Sequence, residues 1–269
     1  MMFRSCLFVP TDRPERFAKA LAAGPDLVIL DLEDAVQPAA KPAAREQIRA
    51  FLQGHSGARV GVRLNAAGTE WFQDDLSLLA SPALAAVMLP KAETAETLAE
   101  VAGRLQAGAA LIPLVETALG IWNALELARA PRVVQLAFGS VDFQLDAGLP
   151  DDDPDRAMLY ARSRLVLASA AAGVAAPIDG VTVDLDDPAR TTADVAQSRA
   201  LGFGGKLCIH PRQIAPVHEG LAPSPAELAR ARAIVAAADA VGANGAIRLD
   251  GKLIDRPVAE RARRMLAGG

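Results

Sequence analysis

Only two cysteines, Cys6 and Cys208, occur in the 269 residues, too few for a disulfide framework and without metal-ligand spacing. Buried free thiols acting as small hydrophobes are the expectation for both. Long apolar runs are missing as well. One of the longest uncharged ones, 165–178, holds 14 residues between Arg164 and Asp179, and none reaches the roughly 20 that a spanning helix needs. Positive charge is not in excess: 28 Lys and Arg face 32 Asp and Glu, a formal net charge of −4. That balance argues against electrostatic binding of nucleic acid. The N-terminal run 6–9 meets Pro10 and Asp12 at once, so the apolar stretch of a signal peptide is lacking. A cytoplasmic protein with no membrane or nucleic-acid partner is the expectation.

Two absences bear on the fold. No G-x-G-x-x-G follows the first apolar run and no Walker A sequence occurs, which weakens a doubly wound nucleotide-binding sheet. What the chain does have is 51% hydrophobic residues, arranged as eight short runs: 6–9, 27–30, 60–64, 86–89, 111–115, 133–138, 174–178 and 207–209. Continuous apolar runs of this length fit strands buried on both faces of a parallel sheet. Between them lie segments rich in Ala, Leu, Glu and Arg, good helix formers: 17–23, 43–52, 94–106, 118–129 and 188–201. Pro14, Pro42 and Pro188 stand where a helix tolerates proline, in the first turn. The pattern predicts an α/β fold, a (β/α)8 TIM barrel over residues 1–216. A C-terminal helical extension, 217–269, follows, with helices over 225–241 and 257–266. It reads as too short for a core of its own and is expected to pack on the barrel or on a neighbouring subunit.

Barrel active sites sit at the C-terminal strand ends, and polar residues gather after each run: Asp12 and Arg13, Glu33 and Asp34, Arg63 and Asn65, Lys91 and Glu93, Glu116, Asp142, Asp179, His210. Glu116 and Asp142 end consecutive strands. Two hard carboxylates without a nearby His or Cys favour Mg²⁺, or Mn²⁺, over Zn²⁺; the alternative is a pair of rim carboxylates bridged to arginines. Arg63, inside an apolar strand, needs an anionic partner. A substrate carboxylate, a developing enolate oxygen, Glu116 or Asp142 would each serve. Arg13, Arg16 and Lys19 recur every third residue beside the barrel mouth, as either a phosphate clamp or a solvated helix face. For His210 a structural hydrogen-bonding role is the expectation.

A set of motifs comes in order: Phe8-Val9-Pro10, Arg13-Pro14-Glu15-Arg16-Phe17, Asp31-Leu32-Glu33-Asp34-Ala35-Val36 with Lys41 and Arg45, Val62-Arg63-Leu64-Asn65, Pro90-Lys91-Ala92-Glu93, Glu116-Thr117-Ala118-Leu119-Gly120, Gly139-Ser140-Val141-Asp142, Gly205-Lys206-Leu207-Cys208-Ile209-His210-Pro211 and Asp250-Gly251-Lys252-Leu253-Ile254-Asp255. Together they resemble the citrate lyase β-subunit-like family of acyl-CoA ester lyases, relatives of malyl-CoA and citramalyl-CoA lyases, over nearly the whole chain. The resemblance implies a Mg²⁺-dependent barrel, a homotrimer or homohexamer, that breaks or forms a carbon–carbon bond in a CoA thioester. It implies Glu116 and Asp142 as metal ligands and Arg63 at the substrate carboxylate and enolate. Glu33 and Asp34 would stand one shell out, holding metal-bound waters, and Asp255 would be an acid/base residue reaching an adjacent subunit's site. One departure is Thr11, where similar proteins usually have glycine, which would narrow the approach of CoA.

The implied substrates are a 3-hydroxy-3-carboxyacyl-CoA and its products, acetyl-CoA and a 2-oxo acid. Two other readings stand beside it: an aldolase acting on free 4-hydroxy-2-oxo acids, and an accessory subunit that binds CoA esters.

Overall fold

Eight parallel strands close on themselves in chain order in the computed structural model, which describes residues 2–55, 59–150, 152–241 and 247–267. They are β1 (Ser5–Pro10), β2 (Leu27–Asp31), β3 (Val60–Arg63), β4 (Ala86–Leu89), β5 (Ala110–Val115), β6 (Ala137–Phe138), β7 (Ile178–Asp179) and β8 (Gly205–Cys208). At the seam β1 lies beside β8, with Cys6 opposite Leu207 and Leu7 opposite Cys208. Both thiols are buried and free, and burial pushes the Cys208 pKa up to about 12. Helices join the strands, so the expected (β/α)8 barrel is the fold.

The strands read as unbroken apolar runs because both of their faces are covered. Side chains alternate across a strand. Leu27, Ile29, Met88, Ile112 and Leu114 fall in one cluster, which fills the barrel. Val28, Leu30, Val62, Val87 and Leu111 fall in another, which packs against the helices. Two strands are much shorter than their runs, β6 and β7. Over 133–136 the backbone makes only a single bridge, Val133 to Leu111. The buried Gln135 side chain there takes the Phe3 N–H and donates to the carbonyls of Phe3 and Ala176. In run 174–178, Pro177 brings no N–H to a ladder.

The helices begin where proline and capping residues place them. A 3-10 turn, Pro14–Arg16, precedes Phe17–Ala22. Lys41–Gly54 and Pro188–Leu201 carry proline in the first turn. Thr94 caps Ala95–Arg104 by accepting the Thr97 N–H. The segment 118–129, expected as one helix, breaks at Asn123 into Ala118–Trp122 and Ala124–Arg129. There the Asn123 amide donates to the Glu93 carbonyl. Most of run 165–178 is taken up by the helix Leu159–Ala172. Among the described residues no helix is long and apolar enough to cross a membrane.

The chain divides into two compact units, Met1–Leu221 with the barrel and Ala222–Gly269. The second holds helices Pro225–Val241 and Arg256–Ala267 and an antiparallel hairpin, β9 (Ile247–Leu249) with β10 (Lys252–Ile254). Its turn, Asp250-Gly251, has positive φ at both residues, 48° and 76°, the tight Asp-Gly turn that matches strand twist. Contrary to the expectation from length, this unit gathers a small apolar cluster of its own: Ala231, Ile234, Ile254 and Ala262.

Candidate active site

The alternation that fills the barrel also builds its mouth. Two residues beyond Ile29 on the inward face comes Asp31; register sets Arg63 of β3 opposite Asp31. Two residues beyond Leu114 comes Glu116. These three line a cavity of about 360 Å³ together with Phe8, Asp34, Gly139 and Asp142. The site is the point at which an apolar inward face turns ionic.

Arg63 is held from several sides. Its Nε and Nη2 donate to the two carboxylate oxygens of Asp31 at 2.7 and 2.6 Å. Nη1 lies 2.8 Å from Glu33 Oε2 and 3.7 Å from Asp34. The guanidinium rests on the Phe8 ring, 4.8 Å from its centroid. Burial alone would lower the Arg63 pKa, but the Asp31 charge and hydrogen bonds, with Glu33, outweigh it and raise it. The partner considered in Glu116 or Asp142 is therefore corrected: the resident counter-ion is Asp31. In the sequence Asp31 opens the motif that ends the second run but carries no assigned role; its inward parity with Leu27 and Ile29 is the signal for one.

Asp31 is itself anchored. Its Oδ1 accepts the Glu33 N–H at 2.9 Å, and its carbonyl accepts the buried Thr11 hydroxyl at 2.6 Å. The Thr11 side chain thus secures the end of β1 to the end of β2. Lys41, drawn under this loop, donates to the carbonyls of Leu32 and Glu33 and to Asn65. Arg45 pairs with the buried Asp75, which also accepts from Asn65. Lys41 supports the loop directly and Arg45 braces it indirectly, through Asp75 and Asn65, which explains two buried cations in a helix that otherwise covers the barrel.

Glu116 directly follows β5 and is 1% exposed. Burial, reinforced by the Glu33 and Asp142 charges, pushes its pKa up to about 8. Its Oε1 accepts the Lys91 backbone N–H at 2.8 Å. On the other side Gly139 leaves its carboxylate room, for a Cβ at that position would fall 2.3 Å from Glu116 Oε2. Asp142 sits in the first turn of the helix Ser140–Asp146 after β6. Between the carboxylates stands Lys91, expected at the mouth but with no role assigned from the sequence. Its Nζ lies 3.3 Å from Glu33, 3.5 Å from Asp142 and 3.9 Å from Glu116. Burial lowers the Lys91 pKa, yet these carboxylates overcome that and raise it. Lys91 has φ +47°, a left-handed backbone that costs an L residue about 1–2 kcal/mol.

Other expected residues of the first unit lie apart from this cluster. Asp179, counted among the mouth residues, faces outward: Ile178 fills the barrel, so its neighbour points to the helices and pairs with Arg162 and Ser198. Arg13, Arg16 and Lys19 are exposed on the turn and helix after β1. His210 accepts the Arg212 N–H on Nδ1 and caps the 3-10 turn Pro211–Gln213, the structural role expected of it. Desolvation, then the charges of Arg212 and Lys19, lower its pKa. Asp255 belongs to the second unit, where its carboxylate accepts the Val258 N–H at the start of the last helix.

The donor set fits a hard divalent ion. Glu116 and Asp142 offer oxygen alone, which suits Mg²⁺. Among the described residues no three His, Cys, Asp or Glu side chains form a ligand group.

Residues 4–211 match the HpcH/HpaI aldolase/citrate lyase family. A citrate lyase subunit beta-like protein of Deinococcus radiodurans is 40% identical over 277 residues, covering 99% of this chain and 97% of the relative. A (3S)-malyl-CoA thioesterase of Cereibacter sphaeroides is 34% identical, covering 98% and 94%. The structure of protein CitE from Mycobacterium tuberculosis in complex with magnesium, acetoacetate and coenzyme A superposes with a TM-score of 0.85 at 39% identity, covering 98% of this chain and 97% of that one. The chain belongs to the HpcH/HpaI aldolase/citrate lyase family, a family of lyases.

Proposed function

We propose that this protein is a cytoplasmic, Mg²⁺-dependent carbon–carbon lyase. It cleaves, or in reverse forms, a 3-hydroxy-3-carboxyacyl-CoA such as malyl-, citramalyl- or citryl-CoA, giving acetyl-CoA and a 2-oxo acid. One observation carries the reading: the Glu116–Asp142 carboxylates and the anchored Arg63 guanidinium line the same cavity. The magnesium and CoA bound by the mycobacterial relative support it. Glu116 and Asp142 would hold Mg²⁺, or Mn²⁺, whose chemistry is to polarise the oxygens of the oxo-acid portion.

The chain's own groups do the rest. Arg63 has five N–H donors; Asp31 takes two of them and Nη1 lies beside Glu33, so the donors left would meet the oxygen on which the enolate charge develops. As the substrate hydroxyl loses its proton to a base, the C–C bond breaks and its electron pair moves into the thioester carbonyl. Preorganised positive charge at that oxygen stabilises the transition state. Asp255 of an adjacent copy in a homotrimer or homohexamer returns a proton to carbon, completing acetyl-CoA. Glu33 and Asp34 order water at the acidic rim, and Arg13, Arg16 and Lys19 meet the CoA phosphates.

The test is a coupled assay with malyl-, citramalyl- and citryl-CoA that measures acetyl-CoA, free CoA and the 2-oxo acid separately. Cleavage of one ester, abolished by EDTA, supports the lyase reading. Silence on all three with metal bound overturns it, as would full Mg²⁺-dependent activity in Asp142→Ala for the metal assignment. Free CoA without a new 2-oxo acid favours hydrolysis of the thioester, the second reading, prompted by the thioesterase relative.

A further inference from the structure

Lys91 is unusual on two independent counts. Its backbone is left-handed, φ +47°, a conformation that glycine adopts without strain and an L side chain does not. Its ammonium stands within 4 Å of three carboxylates, those of Glu33, Glu116 and Asp142. The strained backbone has a use of its own, because it aims the Lys91 N–H at Glu116 Oε1. A glycine would do as much, so the retained side chain needs a separate reason. The side chain is also 42% exposed, so it has open space into which to withdraw.

We propose that Lys91 sets the metal affinity of the site. Its ammonium competes with a divalent ion for the oxygens of Glu116 and Asp142, and binding of the ion turns the side chain toward solvent. The inference rests on the metal reading above. It follows from charge alone: a tethered cation on the carboxylates opposes a second cation arriving at them. With the lysine present the acidic cluster is neutralised in part, and the ion binds more weakly and more reversibly than two unopposed carboxylates would hold it.

The experiment compares the full-length wild type with Lys91→Met and Lys91→Gly. Mn²⁺ is titrated by electron paramagnetic resonance, Mg²⁺ by calorimetry, and Tm is read in EDTA and in saturating Mg²⁺. Both variants are expected to bind at least about tenfold more tightly, which is about 1.4 kcal/mol. Mg²⁺ is then expected to raise their Tm more than that of the wild type, since ligand binding stabilises the native state by an amount that grows with the logarithm of affinity. Lys91→Gly keeps the N–H to Glu116 and relieves the backbone, so it reports the charge even if Lys91→Met folds poorly. Equal or weaker affinity in Lys91→Gly, with the same Mg²⁺-induced Tm shift as wild type, overturns the proposal while leaving the metal reading intact. A wild type that binds neither ion overturns the metal reading itself, and the role of Lys91 with it.

Discussion

Glu116 keeps its proton toward neutrality because burial and two neighbouring carboxylates oppose its charge. Its pKa in the folded chain is raised from 4.5 to about 8, so the folded state binds more protons than the unfolded one across that window. The stability it contributes is present below the unfolded value and is lost as pH rises through the folded one. In EDTA the protein is therefore expected to lose stability between about pH 5 and about pH 8, and Glu116→Gln to flatten that slope, as read by Tm against pH. A metal ion must also displace this proton, so apparent Mg²⁺ affinity is expected to climb over the same interval. Arg63→Lys tests a different property. A lysine cannot span both oxygens of Asp31 as the guanidinium does. A fall in kcat of about 10²–10³ is expected, in the range seen for losing one preorganised donor, with Mg²⁺ affinity little changed by calorimetry.

At the scale of elements, the site depends on how closely consecutive βα junctions approach. The junction after β6 passes Glu116 so tightly that a Cβ on Gly139 would meet its carboxylate at 2.3 Å. Gly139→Ala is expected to turn the Glu116 side chain away, lowering Mg²⁺ affinity about tenfold or more. Overpacking of this kind costs about 1–3 kcal/mol of stability, so denaturant unfolding should show a modest loss while the barrel still forms. The same junction shows how far a motif can be read without a structure. Gly139-Ser140-Val141-Asp142 stood out as a string, and Asp142 is at the mouth as expected. The need for Gly139 appears only when β5 and β6 are side by side. The outward turn of Asp179 is the converse case: a strand-end carboxylate takes the face opposite to its inward neighbour Ile178 and serves the helices.

For the whole molecule, the second unit and its Asp255 carry the last prediction. If Asp255 acts on an adjacent copy, inactive Asp255→Ala and inactive Arg63→Ala proteins, unfolded together and refolded as a mixture, should regain activity. Some sites would then pair an intact Arg63 with an intact Asp255; a mixture as inactive as its parents would place the residue elsewhere. The sequence by itself determined the barrel, because strands covered on both faces are apolar over most of their length and so read as runs. It determined also that charges follow those runs, and which motifs carry them. Only the tertiary structure decided which charge meets which. Asp31 and Arg63 are 32 residues apart, and Lys91 and Glu116 are 25 apart; strand register and the closing of the barrel set each pair in contact. Coulomb energy depends on distance through space, and separation along the chain does not fix that distance.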